Sequence, residues 1–138
     1  MSLIAFPLLL IPFAIYNIIA FLMPGVSWSA PLTNVAMMSG ATWSMSSGDL
    51  LIVLSILLLF AEIAKATRTG ARSVVDHGLS LLVFLAMGAE FILIRQAATS
   101  TFFLLLVIGF VDVLGGFSVT LRSAQRDLTI EGGIDRIS

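Results

Sequence analysis

The chain contains no cysteine, so it has no disulfide and no thiolate to act as a nucleophile or to hold a metal or an iron–sulfur cluster. Its single histidine, His77, cannot supply both ligands of a bis-histidine haem or of a two-histidine metal motif. The sequence also lacks a nucleophile–base pair and a phosphate-binding loop. We therefore predict no catalytic residue, no metal site and no cofactor.

Charged residues are scarce as well. They make up 11% of the 138 residues, whereas a soluble domain carries about 25%. Hydrophobic residues make up 59%, and the mean hydropathy is +1.10. With a net charge of −1 the chain has no basic surface to neutralise phosphates, so nucleic acid is not an expected partner. This composition predicts an all-α integral membrane protein of one domain, with the lipid bilayer as its first partner.

Long apolar stretches predict four transmembrane helices in an up-down bundle, over residues 3–23, 49–66, 76–95 and 101–121. No basic segment or small-residue cleavage site marks the first stretch as a signal peptide, so a retained helix is expected. The last stretch is about 31 Å long as a helix, which matches the roughly 30 Å hydrocarbon core of a bilayer.

Basic residues are distributed unequally along the chain. Arg95 lies between the third and fourth predicted spans. The others lie between the second and third spans or in the tail over residues 122–138: Lys65, Arg68, Arg72, Arg122, Arg126 and Arg136. Since basic loops stay on the cytoplasmic side, we predict that both termini and this solvated tail are cytoplasmic.

Residues 24–48 carry no charge and contain Trp28 and Trp43, a residue type that settles at the membrane interface. This segment is predicted to be an external interfacial loop. Ser29 is typical of an N-cap and predicts a short helix over residues 32–38. A re-entrant turn and a cover over the mouth of a cavity are the alternatives.

Three acidic residues lie within the predicted spans. Asp112 is near the centre of the fourth span, Glu62 lies about 7 Å from the middle toward the cytoplasm, and Glu90 about 6 Å toward the outside. Such a ladder of carboxylates is able to relay protons or bind a cation. In the structural alternative each acid is a satisfied group, and Glu62 forms an ion pair with Lys65 on the same helix face.

The fourth span combines its acid with small residues. Asp112 shares one helical face with the predicted helix-packing residues Gly109, Gly116 and Thr120. This face directs the carboxylate into a protein contact. There Asp112 either binds a basic residue of another subunit or accepts hydrogen bonds from a polar residue of the bundle, the candidates being Ser55, Ser80, Tyr16 and Asn17.

Two helix starts carry recognisable signals. Residues 47–49, Ser-Gly-Asp, predict a cap followed by an acid in the first turn, where the helix dipole favours negative charge. Asp76 and His77 predict a second cap with an interfacial imidazole. The alternative for His77 is a ligand or a proton relay.

The second half of the chain contains the runs VVDHGLSLLVFLAMGAEF, TSTFFLL and DVLGGFSVTLRSAQRD. In these runs it resembles a group of small four-span inner-membrane proteins of bacteria that have no assigned activity. The resemblance implies a location in the bacterial inner membrane. It implies no catalytic or binding residue.

Two functions follow from these features. The first is a non-enzymatic accessory or scaffold subunit that packs against a larger membrane assembly or against itself. The second is a small proton- or cation-coupled transporter that works as an oligomer through its intramembrane carboxylates. Drug exporters of the small multidrug resistance type have this size, but they carry their essential acid in the first helix, and residues 3–23 contain none.

Overall fold

The computed structural model describes residues 7–66 and 73–137, and the fold in this part of the chain is mostly helical. A hairpin of two antiparallel strands precedes the second helix, and a short 3-10 helix joins the third helix to the fourth. In chain order the elements are α1 (Leu10–Leu22), β1 (Pro31–Ala36), β2 (Thr42–Ser46), α2 (Ser47–Ala66), α3 (Ser73–Leu93), the 3-10 helix (Arg95–Ala97) and α4 (Ser100–Ile137).

Helix α4 packs against both α2 and α3. Close contacts across these interfaces show that α4 runs parallel to α2 and antiparallel to α3: Gly48 with Thr101, Ile63 with Gly115, Met87 with Gly109, and His77 with Gly116. Helix α1 runs opposite to α2, because its start lies near the end of α2. Successive helices therefore alternate in direction, as in the predicted bundle.

Two of these helices are long and apolar enough to cross a membrane, over Ser47–Lys65 and Ser100–Ser118. Only 22% and 28% of these stretches are buried, whereas the core helix of a soluble protein is mostly buried. Both helices therefore turn most of their apolar surface outward. Leu10–Leu22 and His77–Leu93 are apolar but shorter, and residues 3–6 of the first predicted span lie outside the described residues.

Tyr16 fastens α1 to the turn between α3 and α4. Its side chain is fully buried, and its hydroxyl donates to the backbone oxygen of Gln96 (2.7 Å) and is hydrogen-bonded to the Thr99 hydroxyl (2.7 Å). The ring stacks on Trp28, with centroids 4.6 Å apart, and meets Phe102 edge-on at 4.8 Å. One side chain thus joins three segments, with both its polar and its apolar parts satisfied.

The predicted start of α2 is correct to within one residue. The cap is Ser46 rather than Ser47, because Ser46 and Asp49 bond each other reciprocally. The Asp49 backbone N–H donates to Ser46 Oγ (3.1 Å), and the Ser46 N–H donates to Asp49 Oδ2 (3.0 Å). Ser47 instead donates its hydroxyl to the backbone oxygen of Ser27 (3.1 Å).

The predicted short helix over residues 32–38 is wrong, because most of this segment forms strand β1. Ser29 is typical of a helix cap, but Pro31 begins a strand, where its missing N–H is tolerated. Gly40 adopts a φ of 91°, the left-handed conformation that closes a short hairpin loop. Strand alternation and this glycine therefore favour a β-hairpin over the predicted helix.

The segment predicted to be a cytoplasmic tail, residues 122–138, is helical as far as Ile137, because α4 continues past the fourth predicted span. The segment contains no proline, and extending an existing helix needs no new nucleus. The glycines at 132 and 133 each cost about 1 kcal/mol relative to alanine, but they do not end the helix. The remaining residue, 138, lies outside the described part.

Helix α3 begins at Ser73, so Asp76 lies inside the helix and not at its cap. The side chains of Asp76 and Thr120 lie outside the described residues, as do Arg68 and Arg72 of the basic connector.

Gly48 is the tightest backbone approach among the described glycines, and we predict that Gly48→Ala destabilises the fold. A methyl group there would lie 2.8 Å from the backbone oxygen of Trp28, which also accepts the Gly48 N–H (3.0 Å). Trp28 is held by its stack on Tyr16, so the backbone has little room to yield. We expect a loss of about 1–3 kcal/mol in the free energy of unfolding, measured at equilibrium in detergent.

Gly88→Ala is the matched control for this prediction. Nothing lies within 4 Å of its added methyl group, and alanine favours the helix by roughly 0.5–1 kcal/mol. Gly88→Ala should therefore stabilise the protein. Equal effects of the two substitutions would show that the contact of Gly48 with Trp28 does not limit the fold.

Candidate functional site

Two of the three predicted acids, Glu62 and Asp112, come together inside the bundle. Each is only 6% exposed, Glu62 on α2 and Asp112 on α4. Ser80 of α3 lies between them: its hydroxyl donates to Glu62 Oε2 at 3.4 Å, and it also interacts with the Asp112 carboxylate. Three helices thus each contribute one polar side chain to a single buried cluster, which we call the carboxylate cluster.

Glu62 is the better-partnered acid of the cluster. Its Oε1 atom accepts from Lys65 Nζ (2.9 Å), which is the ion pair expected from their spacing. The same oxygen accepts the backbone N–H of Leu8 (2.9 Å). Because Leu8 precedes α1, its N–H has no acceptor within that helix. The Glu62 carboxylate therefore joins the start of α1 to α2 and, through Ser80, to α3.

Asp112 is brought into the cluster by the glycines around it. Gly109 and Gly116 face α3, where an added methyl group would lie 3.5 Å from Phe84 and 3.6 Å from His77. Gly115 faces α2. Small residues on two sides allow both helices close to α4, and the carboxylate lies between them. These glycines therefore pack within the chain.

Only one of the four donors considered for Asp112 reaches it. Ser80 faces the carboxylate, whereas Ser55 donates to the backbone oxygen of Leu51 on its own helix (2.8 Å). Asn17 likewise donates to the backbone oxygen of Phe13 (2.9 Å). The Tyr16 hydroxyl donates to the backbone oxygen of Gln96, in the turn before α4.

Over the residues that the structure describes, the charges of the cluster are not balanced. Two carboxylates share one ammonium group, that of Lys65, and one hydroxyl proton, that of Ser80. When both acids are ionised the cluster carries one excess negative charge, which a proton or a monovalent cation is able to neutralise. Over residues 7–66 and 73–137, no three acidic or histidine side chains form a candidate metal site.

Glu90 is separate from the carboxylate cluster. It lies about 15 Å farther along α3 than Ser80, from the rise of about 1.5 Å per residue. The Glu90 carboxylate interacts with the Asn17 side chain. Its Oε2 atom is buried without a hydrogen-bond partner among the described residues. The acids therefore form a pair and a single residue, not an evenly spaced ladder.

The three residues predicted to be interfacial lie in different environments. Trp28 stacks on Tyr16 inside the fold, whereas Trp43 on β2 is about half exposed. His77 contacts the ring of Phe117, with centroids 5.2 Å apart. Its Nδ1 atom is buried and has no hydrogen-bond partner within the described ranges.

Sequence reasoning did not identify a cavity of about 630 Å³ at the hairpin end of the bundle. Its lining includes Ser27, Ser46, Asp49, Gln96 and Thr101. The available signal was the concentration of serine and threonine in the segments that flank the predicted spans on this side. Residues 24–29 of the loop contribute to the lining of this cavity.

No protein-family model matches this chain, and comparison with curated proteins and with solved structures gives no match. The functional argument therefore depends on the geometry of the chain itself.

The two acids of the carboxylate cluster should differ in their effects on stability. Glu62→Gln removes the negative charge that Lys65 neutralises, so we expect a loss of about 1–3 kcal/mol in the free energy of unfolding. Asp112→Asn removes a like charge and adds an amide donor beside Glu62. We expect it to leave the stability unchanged or to raise it, again measured by equilibrium unfolding in detergent.

Ser55→Ala is the control, because the fully buried Ser55 hydroxyl bonds only within its own helix turn. It should change stability little. Equal losses for Glu62→Gln and Asp112→Asn would contradict the unequal roles assigned to the two acids.

Proposed function

We propose that the chain is a small, non-enzymatic, multi-pass protein of the bacterial inner membrane that serves as an accessory or scaffold subunit. It packs against larger membrane subunits or against further copies of itself. Four helices cross the bilayer, and both termini are cytoplasmic. The observation that carries the proposal is the use of Glu62 as a structural junction, with its carboxylate committed to Lys65, Leu8 and Ser80.

Other buried polar groups support a structural function in the same way. Tyr16, Asn17 and Ser55 each donate a hydrogen bond inside the bundle. In lipid, such internal pairing stabilises helix packing because no water competes for the donors. Tyr16 thus joins α1 to the turn before α4, whereas Asn17 and Ser55 satisfy their side chains within their own helices.

The outer surface supports membrane packing. Large apolar side chains face outward on all four helices, and the most exposed of them include Leu22, Phe60, Ile92 and Leu93. Lipid or neighbouring membrane subunits cover such surfaces. The orientation is supported by the basic residues, which lie almost entirely in the second loop and after the fourth span.

Native mass spectrometry tests the accessory function. The tagged protein would be extracted gently from its own host membranes and its complexes weighed. We expect either larger membrane subunits at a fixed ratio or a defined homo-oligomer, since the exposed apolar faces need a cover. A protein released only as a monomer with bound lipid would contradict the proposal.

The carboxylate cluster favours one second function, proton- or cation-coupled transport by an oligomer. The specific observation is that Glu62 and Asp112 converge on Ser80, with one neutralising ammonium group, that of Lys65, in the described part of the chain. A buried pair of this kind is able to exchange a proton or a small cation during transport.

Proton flux into liposomes decides this second function. If it is correct, wild-type protein conducts protons above the level of empty liposomes, and Asp112→Asn abolishes the flux because an amide cannot release a proton. Glu90→Gln is the matched control, since Glu90 lies outside the cluster, and it should retain the flux. An active Asp112→Asn variant would eliminate the transport function.

A further inference from the structure

The external hairpin has one apolar and one polar face. Residues that pair directly across the two strands lie on the same face. The register therefore places Val35 opposite Trp43 and Thr33 opposite Met45 on one side. Met37 continues this side, which we call the apolar face.

The other side of the hairpin carries small and polar residues, apart from Leu32 at the irregularity in register between Pro31 and Thr33. Asn34 pairs with Ser44 and Ala36 pairs with Thr42. The Ser44 hydroxyl donates to Asn34 Oδ1 across the strands. This polar face is able to bond to water or to lipid headgroups.

The apolar face has little cover within the described chain. Val35 is 41% exposed, and Met37 and Trp43 are each 47% exposed. At the tip, Met38 is fully exposed. An isolated two-stranded hairpin is only marginally stable in water, so an apolar tip and face of this kind need an environment that covers them.

The position of the hairpin identifies that environment. Strand β2 ends at Ser46 and α2 begins at Ser47, so no linker separates the hairpin from an apolar helix of membrane-spanning length. Directly after the hairpin, the first turns of α2 expose the apolar side chains of Leu50 and Val53. A groove of about 460 Å³ between α1 and α2 begins at Trp28 and Ser47 and is otherwise lined by aliphatic side chains.

The lack of charge and the unpaired backbone edges together determine how deeply the hairpin lies in the bilayer. Residues 24–48 contain no charged side chain, so nothing electrostatic holds the hairpin away from the bilayer. Each of two strands, however, has an unpaired outer edge whose N–H and C=O groups need water or headgroup partners. The hydrocarbon core supplies none, but the interfacial region does, and tryptophan prefers that region.

We propose that the hairpin over residues 31–46 lies on the external membrane surface with its apolar face inserted into the interfacial region of the bilayer. Trp43, Val35 and Met37 contact lipid, while Asn34 and Ser44 face water. At about 3.3 Å per residue the strands reach about 20 Å along the surface, so they anchor the external end of α2. This inference rests on the membrane location and orientation proposed above, but not on the accessory or transport functions.

Single-cysteine spin labels test the orientation directly, and the absence of native cysteine means that no background substitution is needed. Val35→Cys reports on the apolar face, and Asn34→Cys, its neighbour on the same strand, is the matched control on the polar face. Each labelled variant would be reconstituted into phosphatidylcholine vesicles. Its relaxation by oxygen, which concentrates in lipid, would be compared with relaxation by a neutral nickel chelate, which stays in water.

We expect the ratio of oxygen to nickel accessibility to be several-fold higher at position 35 than at position 34. Equal, high nickel accessibility at both positions would overturn the proposal, because the hairpin would then project into water. Protection of position 35 from both reagents would also overturn it, since protein, such as a second copy, would then cover the face.

A second pair of exposed sites, Met37→Cys and Thr42→Cys, repeats the comparison on independent positions. If labelling at one pair disturbs the hairpin, the other pair still decides between lipid, water and protein.

Discussion

The bonding of the Glu62 carboxylate is the interaction on which one half of the bundle depends, the half that contains the end of α2 and the start of α1. Lys65 neutralises it on α2, Ser80 bonds to it from α3, and Leu8 donates its N–H from the segment before α1. Away from water, a backbone donor such as that of Leu8 has few acceptors, so this carboxylate replaces the missing solvent. Removing it takes away the ion pair of Lys65 and the acceptor of the Leu8 N–H at the same time, which is more costly than losing one hydrogen bond.

At the opposite end the bundle is held mainly by aromatic packing. Tyr16 stacks on Trp28, meets Phe102 edge-on and bonds to the turn before α4. Gly48 permits the loop backbone to approach α2 closely there, which keeps Trp28 in place. Helix α1 is therefore fixed by different means at two places, by a buried acid just before its start and by the Tyr16 stack at its middle. This explains how a helix with few other contacts keeps its position.

The sequence was sufficient for features that depend on local periodicity. Apolar runs predicted the helices, and the spacing of Glu62 and Lys65 predicted their ion pair. It was insufficient for features that depend on how helices are rotated against one another. The convergence of Glu62 with Asp112 follows from glycines that bring two helices onto α4, and a single sequence gives the depth of a residue but not its azimuth. For residues 32–38, a cap-like Ser29 outweighed the weaker signal of a short hairpin.

The hairpin and the bundle meet the same physical requirement in different ways. Inside the bundle, most of the described polar groups find partners within the chain, Glu90 Oε2 and His77 Nδ1 being the exceptions, and many apolar side chains turn outward. The hairpin separates the two classes by strand alternation, so one face suits lipid and the other suits water. Its unpaired edges need a hydrated layer, and its apolar face needs a dry one. The boundary between bilayer and water supplies both, and α2 begins at that level because Ser46 is at once the last residue of the hairpin and the cap of the helix.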